Sequence, residues 1–455
     1  MSQYNMIYEY IESVCNQIRW RKVHPIISKE LNDHIIDQKD AFITQGFAED
    51  IALDKAIEEM GDPIVVGKEL DLTHRPKLEL SIILFTGLAL LMGVFLRFIM
   101  TSGTPMNWMI RENIMHIVIG IGFMIGVYFL DYRFIGRYPK LIFLAFIVSI
   151  LGISILSSGP MVRYGQYTYL SYLLLLFPTA FTGIIYSMRN RGYTDIILSG
   201  LAAIIPVLLV FSQTPMSNIL FYLLSCMILL TISIIRGFFN IHRKKGLLLI
   251  YIPTSIVTIS MVIFSIWNHP YYLNRIQNLI NPALDPLGDG YMANLTREVI
   301  SNARFIGEGL GSSTGATLGQ IHTDFLLTYV IHRFGWLFFL MIVTILTIFI
   351  VRIFILCTKQ KGILGNLIST SIMITFTIQV IRYIAFNLGI QVISPLTLPF
   401  ISYGGTATVI NMILMGVLLS VFKWGDLIKN NLERSVSNKT LFSFQDGKII
   451  IDLKH

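Results

Sequence analysis

Charge is scarce in this chain. Asp, Glu, Lys and Arg make up 14% of its 455 residues, while hydrophobic side chains make up 54% and the mean hydropathy is +0.66. Soluble domains carry about 25% charged residues, so the deficit excludes a water-soluble fold for most of the length and points to a polytopic membrane protein. Cysteine is also rare. Cys15 lies in a polar segment, and Cys226 and Cys357 lie in or at the end of apolar runs, so no disulfide framework is expected. The start of the chain lacks the pattern of a cleavable leader, because its first 75 residues are polar; the first apolar run is expected to direct insertion itself. The 35 Lys+Arg outnumber the 27 Asp+Glu, but they fall between apolar runs rather than in one patch. That spacing belongs to membrane topology, and no nucleic-acid partner is expected.

From residue 79 onward, apolar runs long enough for a roughly 30 Å hydrocarbon core follow one another. They lie near 80–100, 113–130, 140–157, 169–187, 195–212, 218–235, 247–267, 324–356, 363–388 and 404–422. The eighth is over-long and is expected to tilt or to extend past the bilayer. Alternate connections carry the cations, for example Arg133, Arg137 and Lys140, then Arg189 and Arg191, then Arg236 and Arg243 to Lys245. The positive-inside rule therefore gives ten spans with both termini cytoplasmic. Trp108, Trp267 and Trp424 fall at expected interfaces. The expected fold is all-α: ten transmembrane helices over 79–425, a long outer loop, 268–323, between helices 7 and 8, and a cytoplasmic tail over 426–455.

Residues 1–78 read as a small cytoplasmic helical domain. HPIISKELNDHIIDQKDAFITQGF (24–47) has near-helical apolar spacing with Gly46 as a stop, and EDIALDKAIEEMGDPIVVGKEL (49–70) is interrupted at Gly61-Asp62-Pro63. ELNDHIIDQ and the Ala-spaced run ending in MGDP resemble short prefix domains ahead of bacterial permeases, which implies a docking or regulatory role. In the tail, Asp446-Gly447 reads as a hairpin turn.

Two features break the regularity of the membrane region. The outer loop is far longer than its neighbours, and long loops usually carry function. SPLTLPFISYGG (394–405) puts two prolines and paired glycines at membrane depth, where non-helical backbone survives only if protein or a water-filled cavity satisfies its polar groups.

Chemistry concentrates in the same two places. In FIGEGLGSS (305–313), glycines at 307, 309 and 311 allow close approach to a ligand or to another backbone. Asp324 stands where the outer loop enters the eighth run, after His322 and Thr323, which can cap a helix start. Desolvation there should raise its pKa and suit it to act as a general base toward a substrate hydroxyl. The alternative is a carboxylate that only answers the helix dipole. His332 and Arg333 would lie about 12–14 Å deeper in a continuous helix, with Arg333 on the face opposite Asp324. Arg333 and Arg382 are expected to face the bundle interior, where they form an anion site, or else to bond backbone carbonyls or snorkel. The sequon Asn294-Leu295-Thr296 is read as coincidental.

LTLPFISYGGTATVINMILMGVLLSV (396–421) is similar to the C-terminal signature of the SEDS proteins, the RodA/FtsW/SpoVE family of bacterial shape, division and sporulation. DYR (131–133), DPLGDGY, GEGLG, HTDF and NLG (387–389) fall in that family's order, and the resemblance covers about residues 80–425. It implies a polymerase of lipid II, the undecaprenyl-diphosphate-linked precursor, at the outer face of the bacterial cytoplasmic membrane beside a class B penicillin-binding protein. The family's essential Asp maps onto Asp324, with the implied role of deprotonating the acceptor 4-hydroxyl directly or through a divalent cation such as Mg or Mn. Arg275, Tyr291, Gly309, Gly311, His322, Pro399, Ser402, Tyr403, Gly404 and Gly405 match family positions, and with Thr323, Arg333 and Arg382 they are expected to shape the site or touch substrate.

The chain also departs from the pattern. Around SSGPMVRYGQYTYL (157–170) Arg163 can stand in for the family arginine, but the acid is gone; QTPMSNIL (213–220) lacks its carboxylate as well. His332 and Arg333 occupy places where relatives carry acids, and the stretch between NLG and LPF is about four residues short. Two other readings follow: a non-catalytic lipid II-binding scaffold for a synthase, favoured by the missing carboxylates, and a flippase for lipid-linked precursors, favoured by the broken helix.

Overall fold

The computed structural model describes residues 3–74, 79–101, 107–156, 163–268, 273–274, 277, 290–310, 318–360, 362–390, 394–424, 442–445 and 448–451. The chain divides into two compact units, Met1–Leu78 with Lys423–His455, and Glu79–Phe422.

In the first unit, α1 (Gln3–Gln17), α2 (His24–Thr44), α3 (Glu49–Glu59) and α4 (Pro63–His74) pack α1 on α4 and α2 on α3. The breaks fall where the sequence put them. Gly46 and Gly61 take left-handed φ values of 97° and 82°, and Asp62 Oδ1 accepts the Ile64 amide at 2.8 Å to cap α4. The helix α1 was not anticipated, although Tyr10, Val14 and Ile18 recur at a four-residue interval and point into one core with Ile27, Ile35 and Leu53. The Tyr10 hydroxyl donates to the carbonyls of Met60 and Gly61 at 3.2 and 3.1 Å, tying α1 to the α3–α4 turn. Two short strands, β1 (Phe442–Gln445) and β2 (Lys448–Ile451), pair antiparallel with Phe442 opposite Ile451; the expected turn at 446–447 lies outside the described residues.

Helix is the regular secondary structure among the described residues of the second unit. Its helices are α5 (Leu80–Thr101), α6 (Asn107–Phe129), the short α7 (Arg133–Arg137), α8 (Pro139–Leu156), α9 (Arg163–Ser187), α10 (Tyr193–Val210), α11 (Met216–Ile235), α12 (Arg243–Asn268), α13 (Tyr291–Ser301), α14 (Leu326–Phe334), α15 (Trp336–Lys359), α16 (Ile363–Asn387) and α17 (Gly405–Trp424). Among the described residues, nine helices are long and apolar enough to cross a membrane, and Pro139–Ile155 is a shorter apolar helix. All ten apolar runs of the sequence form helix. The eighth does so in two pieces rather than as one over-long helix. Gly335, at φ 91°, separates α14 from α15.

The core is built around α16, most of whose residues are buried against α9, α11 and α15. Its inward residues are small or polar as often as aliphatic: Ser369, Thr370, Ser371 and Thr375 are all buried, and Ser371 Oγ donates to Thr179 Oγ1 of α9 at 3.2 Å. Small and hydroxylated side chains let helices approach closely where lipid supplies no hydrophobic drive for association. Beside them Phe177 stacks on Phe181 and meets Phe146 and Tyr222. The opposite extreme is α12, whose Ile252, Ile256, Ile259 and Ile263 are exposed, as a face turned to acyl chains requires. Trp267 at its end is 84% exposed, fitting an interfacial anchor.

A testable consequence concerns Gly67 of α4. A Cβ there would sit 2.6 Å from Gln17 Cβ and 2.7 Å from the Val14 carbonyl. Gly67→Ala is expected to cost the prefix unit about 1–3 kcal/mol by overpacking, read as faster amide exchange in α1 and α4.

Candidate functional site

Residues 320–325 form a turn before α14. Gln320 adopts φ 52°, and its carbonyl accepts the amides of Thr323, Asp324 and Phe325 at 3.1, 3.0 and 3.3 Å. No side chain of this segment caps α14, contrary to the expectation for His322 and Thr323; the Thr323 hydroxyl instead donates back to the Gln320 carbonyl at 3.3 Å. The free amides at the start of α14 are met from α16. Tyr383 Oη accepts the Leu326 amide at 3.3 Å and donates to the Thr323 carbonyl. Asn387 Oδ1 accepts the Thr328 amide at 3.0 Å, while its Nδ2 donates to the Asp324 carbonyl at 2.9 Å. Phe325 and Phe386 close the apolar side with ring centroids 5.0 Å apart.

The Asp324 carboxyl is partly buried. Burial raises its pKa to about 6, against the weaker opposing effect of the Thr323 hydroxyl. It is therefore mostly ionised at pH 7 but remains a far better proton acceptor than an ordinary carboxylate. His322, beside it, is shifted down by burial and by the nearby Arg97 guanidinium, and stays neutral at physiological pH. Among the described residues no group of three or more His, Cys, Asp or Glu side chains converges to hold a metal ion.

Arg333 does not face the bundle interior. Because the helix breaks at Gly335, the end of α14 turns onto the loop 302–310, where the half-exposed Arg333 pairs with Glu308. The same loop seals the break. The amides of Gly307 and Gly309 donate to the carbonyls of Phe334 and His332 at 3.1 and 2.8 Å, and the first amides of α15, from Trp336 and Leu337, donate to Arg304 and Phe305. This is the use of Gly307 and Gly309: a Cβ on Gly309 would meet the Asn302 carbonyl at 2.7 Å and His332 Cδ2 at 3.0 Å. Between the two alternatives for that loop, its partner is another backbone. His332 is buried, and its Nε2 finds no hydrogen-bond partner among the described residues.

The segment 394–405 satisfies its polar groups through protein. Arg97 of α5, a buried residue that sequence reasoning passed over, donates from Nη2 to the Ile401 carbonyl at 2.8 Å and lies over the Tyr403 ring. Its only sequence signal was a lone cation inside an apolar run. The Tyr403 amide donates to the His322 carbonyl at 2.9 Å, which joins the two signature motifs directly. The Tyr403 hydroxyl donates to Glu112 Oε2 at 2.8 Å, and its pKa is pushed up to about 12 by burial and by that carboxylate. Gly405 packs against His116, where a Cβ would sit 2.4 Å from Nε2, and Gly404 packs against Thr397. Pro399 and Ser402 are buried, and the Ser402 hydroxyl faces the Leu398 carbonyl.

Arg382 faces the interior as expected. It is 1% exposed, donates from Nη2 to Asn218 Oδ1 and the Ser394 carbonyl at 2.6 Å each, and stacks over Phe221. A small cavity lies beside it, lined in part by Ser171, Thr375 and Leu396. His322, Thr323, Asp324 and Tyr403 are thus brought together, while Tyr291 stands exposed at the head of α13. Arg275, Gly311 and the side chain of Arg163 lie outside the described residues.

A helical membrane unit with a fixed acid at one rim and a protein-lined break beneath it defines the class of protein. The chain matches the FtsW/RodA/SpoVE family of cell cycle proteins over residues 169–424, and it belongs to that family. It is similar to the probable peptidoglycan glycosyltransferase FtsW of Buchnera aphidicola, with 31% identity over 203 residues, 44% of this chain and 50% of the relative. A protein of the same name from Trichlorobacter lovleyi is 26% identical over 38% of this chain and 46% of its own. The chain spans about half the length of these curated relatives. The fold is shared with a chain from a solved peptidoglycan synthase complex, with TM-score 0.56 and 16% identity over 76% of this chain and 98% of that one.

Two outcomes are expected. Gly335→Ala would force a left-handed backbone and set a Cβ 2.6 Å from the Phe305 carbonyl, so melting of the purified protein should show a loss of about 1–3 kcal/mol. For Asp324, the folded pKa lies above the unfolded one, so ionisation destabilises the fold as pH rises from about 4 to about 6. Asp324→Asn should melt higher than the parent at pH 7.5 and equally at pH 4.

Proposed function

We propose that the chain is a SEDS-type peptidoglycan glycosyltransferase that polymerises lipid II at the outer face of the cytoplasmic membrane. The carrying observation is Asp324 itself: a carboxyl with its pKa raised to about 6, held on a backbone fixed from both sides. In the reaction, the Asp324 carboxylate takes the proton from the 4-hydroxyl of the acceptor sugar. That oxygen bonds to the donor's anomeric carbon as the bond to the lipid diphosphate breaks, and undecaprenyl diphosphate departs with the electron pair. General-base catalysis of this kind is worth about 10²–10⁴-fold. A divalent cation such as Mg or Mn would take Asp324 as its protein ligand, with substrate diphosphate and water completing its shell; no step above requires it.

In this reading the termini are cytoplasmic, there are ten spans, and the acid faces the periplasm. A class B penicillin-binding protein is the proposed partner, and residues 1–78 are the proposed docking point for a cytoplasmic regulator. The missing carboxylates in 157–170 and 213–220 favour a second reading, a lipid II-binding scaffold without polymerase activity.

Purified full-length protein incubated with fluorescent lipid II tests both. Glycan strands are expected on a gel, with a rate that rises with pH through a midpoint near 6 and falls about 10²–10⁴-fold in Asp324→Asn. Undiminished polymer from that variant sinks the base assignment. Lipid II binding without polymer from the parent protein favours the scaffold.

A further inference from the structure

We propose that Tyr383 and Asn387 are positioning residues for Asp324, setting the acid's place relative to the bundle through the backbone on either side of it. The kinetic part of this inference rests on the glycosyltransferase reading.

The two side chains lie one turn apart on α16, and both are 0% exposed. Between them they hold four points of the chain within six residues: the Thr323 carbonyl, the Asp324 carbonyl, the Leu326 amide and the Thr328 amide. Every hydrogen-bonding site of the Asn387 amide is in use. Nδ2 donates to the carbonyls of Asp324 and Tyr383, both at 2.9 Å, and Oδ1 accepts from the amide and hydroxyl of Thr328, both at 3.0 Å. Turned over, the amide would set two carbonyls against its oxygen and an N–H against its nitrogen, so its orientation is fixed. The Tyr383 hydroxyl is likewise committed, as donor to Thr323 and acceptor from Leu326.

A helix start is ordinarily capped by a Ser, Thr, Asp or Asn one residue ahead of it. Here Phe325 holds that position and offers nothing, and the cap arrives from another span. A local cap fixes only the helix; a cap from α16 fixes where the turn sits in the molecule. For a base this matters, because a shift of about 1 Å can cost about 10²-fold in rate. Besides Tyr383, Tyr172 of α9 is coupled electrostatically to the acid, while His322 in the same turn answers to Arg97.

The test uses the full-length protein in detergent or nanodiscs. Tyr383→Phe removes one hydroxyl and no bulk; kcat is expected to fall about 10–100-fold with KM for lipid II unchanged. Asn387→Asp sets a second carboxylate against the Asp324 backbone, and the midpoint of the pH–rate profile should move upward. Gln379→Leu, on the same helix and bonded to Asn411 instead, serves as the control for stability alone. If the clamp variants melt lower yet keep kcat and the pH midpoint, as the control should, the inference is overturned. A second readout does not need activity: the pH-dependent difference in melting between each protein and its Asp324→Asn counterpart. If the parent forms no polymer, the functional reading fails by itself. An Asn387→Asp variant that leaves this melting difference unmoved then overturns the clamp separately.

Discussion

Backbone that leaves the helix near a bilayer must find a partner for every amide and carbonyl it frees, because hydrocarbon offers none. Around Asp324 the second unit leaves the helix at the turn 320–325, at Gly335 and over the segment 394–405. Each is satisfied by protein. The loop 304–309 seals Gly335, Arg97 and His322 hold the segment through Ile401 and Tyr403, and α16 holds the turn. Two of the breaks therefore support each other through the Tyr403–His322 bond, and the acid at 324 lies in one of them.

This arrangement explains an apparent contradiction in the sequence. A His-Arg pair deep in a continuous apolar helix would be costly. The helix is not continuous, and Arg333 reaches Glu308 at the surface instead. The raised pKa of Asp324 has a related origin. The surroundings that fix its backbone also remove water from its carboxyl, and among the described residues no ion pair to Asp324 is present to offset that loss.

Much of the helical framework was legible because its signals are local. Ten apolar runs, Gly46, Gly61-Asp62-Pro63 and the broken segment at 394–405 each announce themselves within a few residues. Asp324 was legible as a carboxylate at an apolar boundary. What could not be read were partnerships across hundreds of residues. Arg97 to Ile401 spans 304 positions and Tyr403 to Glu112 spans 291, and neither has a sequence period. Gly335 was passed over because a single glycine inside an apolar run often remains helical; only the approach of Phe305 dictates otherwise. The helix α1 was missed for a different reason, since its three core contacts are diluted by polar neighbours.

The span that anchors the rim is also the one least suited to enter lipid unaided. α16 buries Asn366, Gln379 and Arg382 along its length, and polar and charged side chains inside an apolar span are costly unless protein meets them. Its polar groups find mates on three other helices: Asn218 on α11, Asn411 on α17 and Thr179 on α9. The polar side chains of this span are thus satisfied only with α9, α11 and α17 in place beside it, so the stability of α16 in the bilayer belongs to the assembled bundle and not to the helix alone.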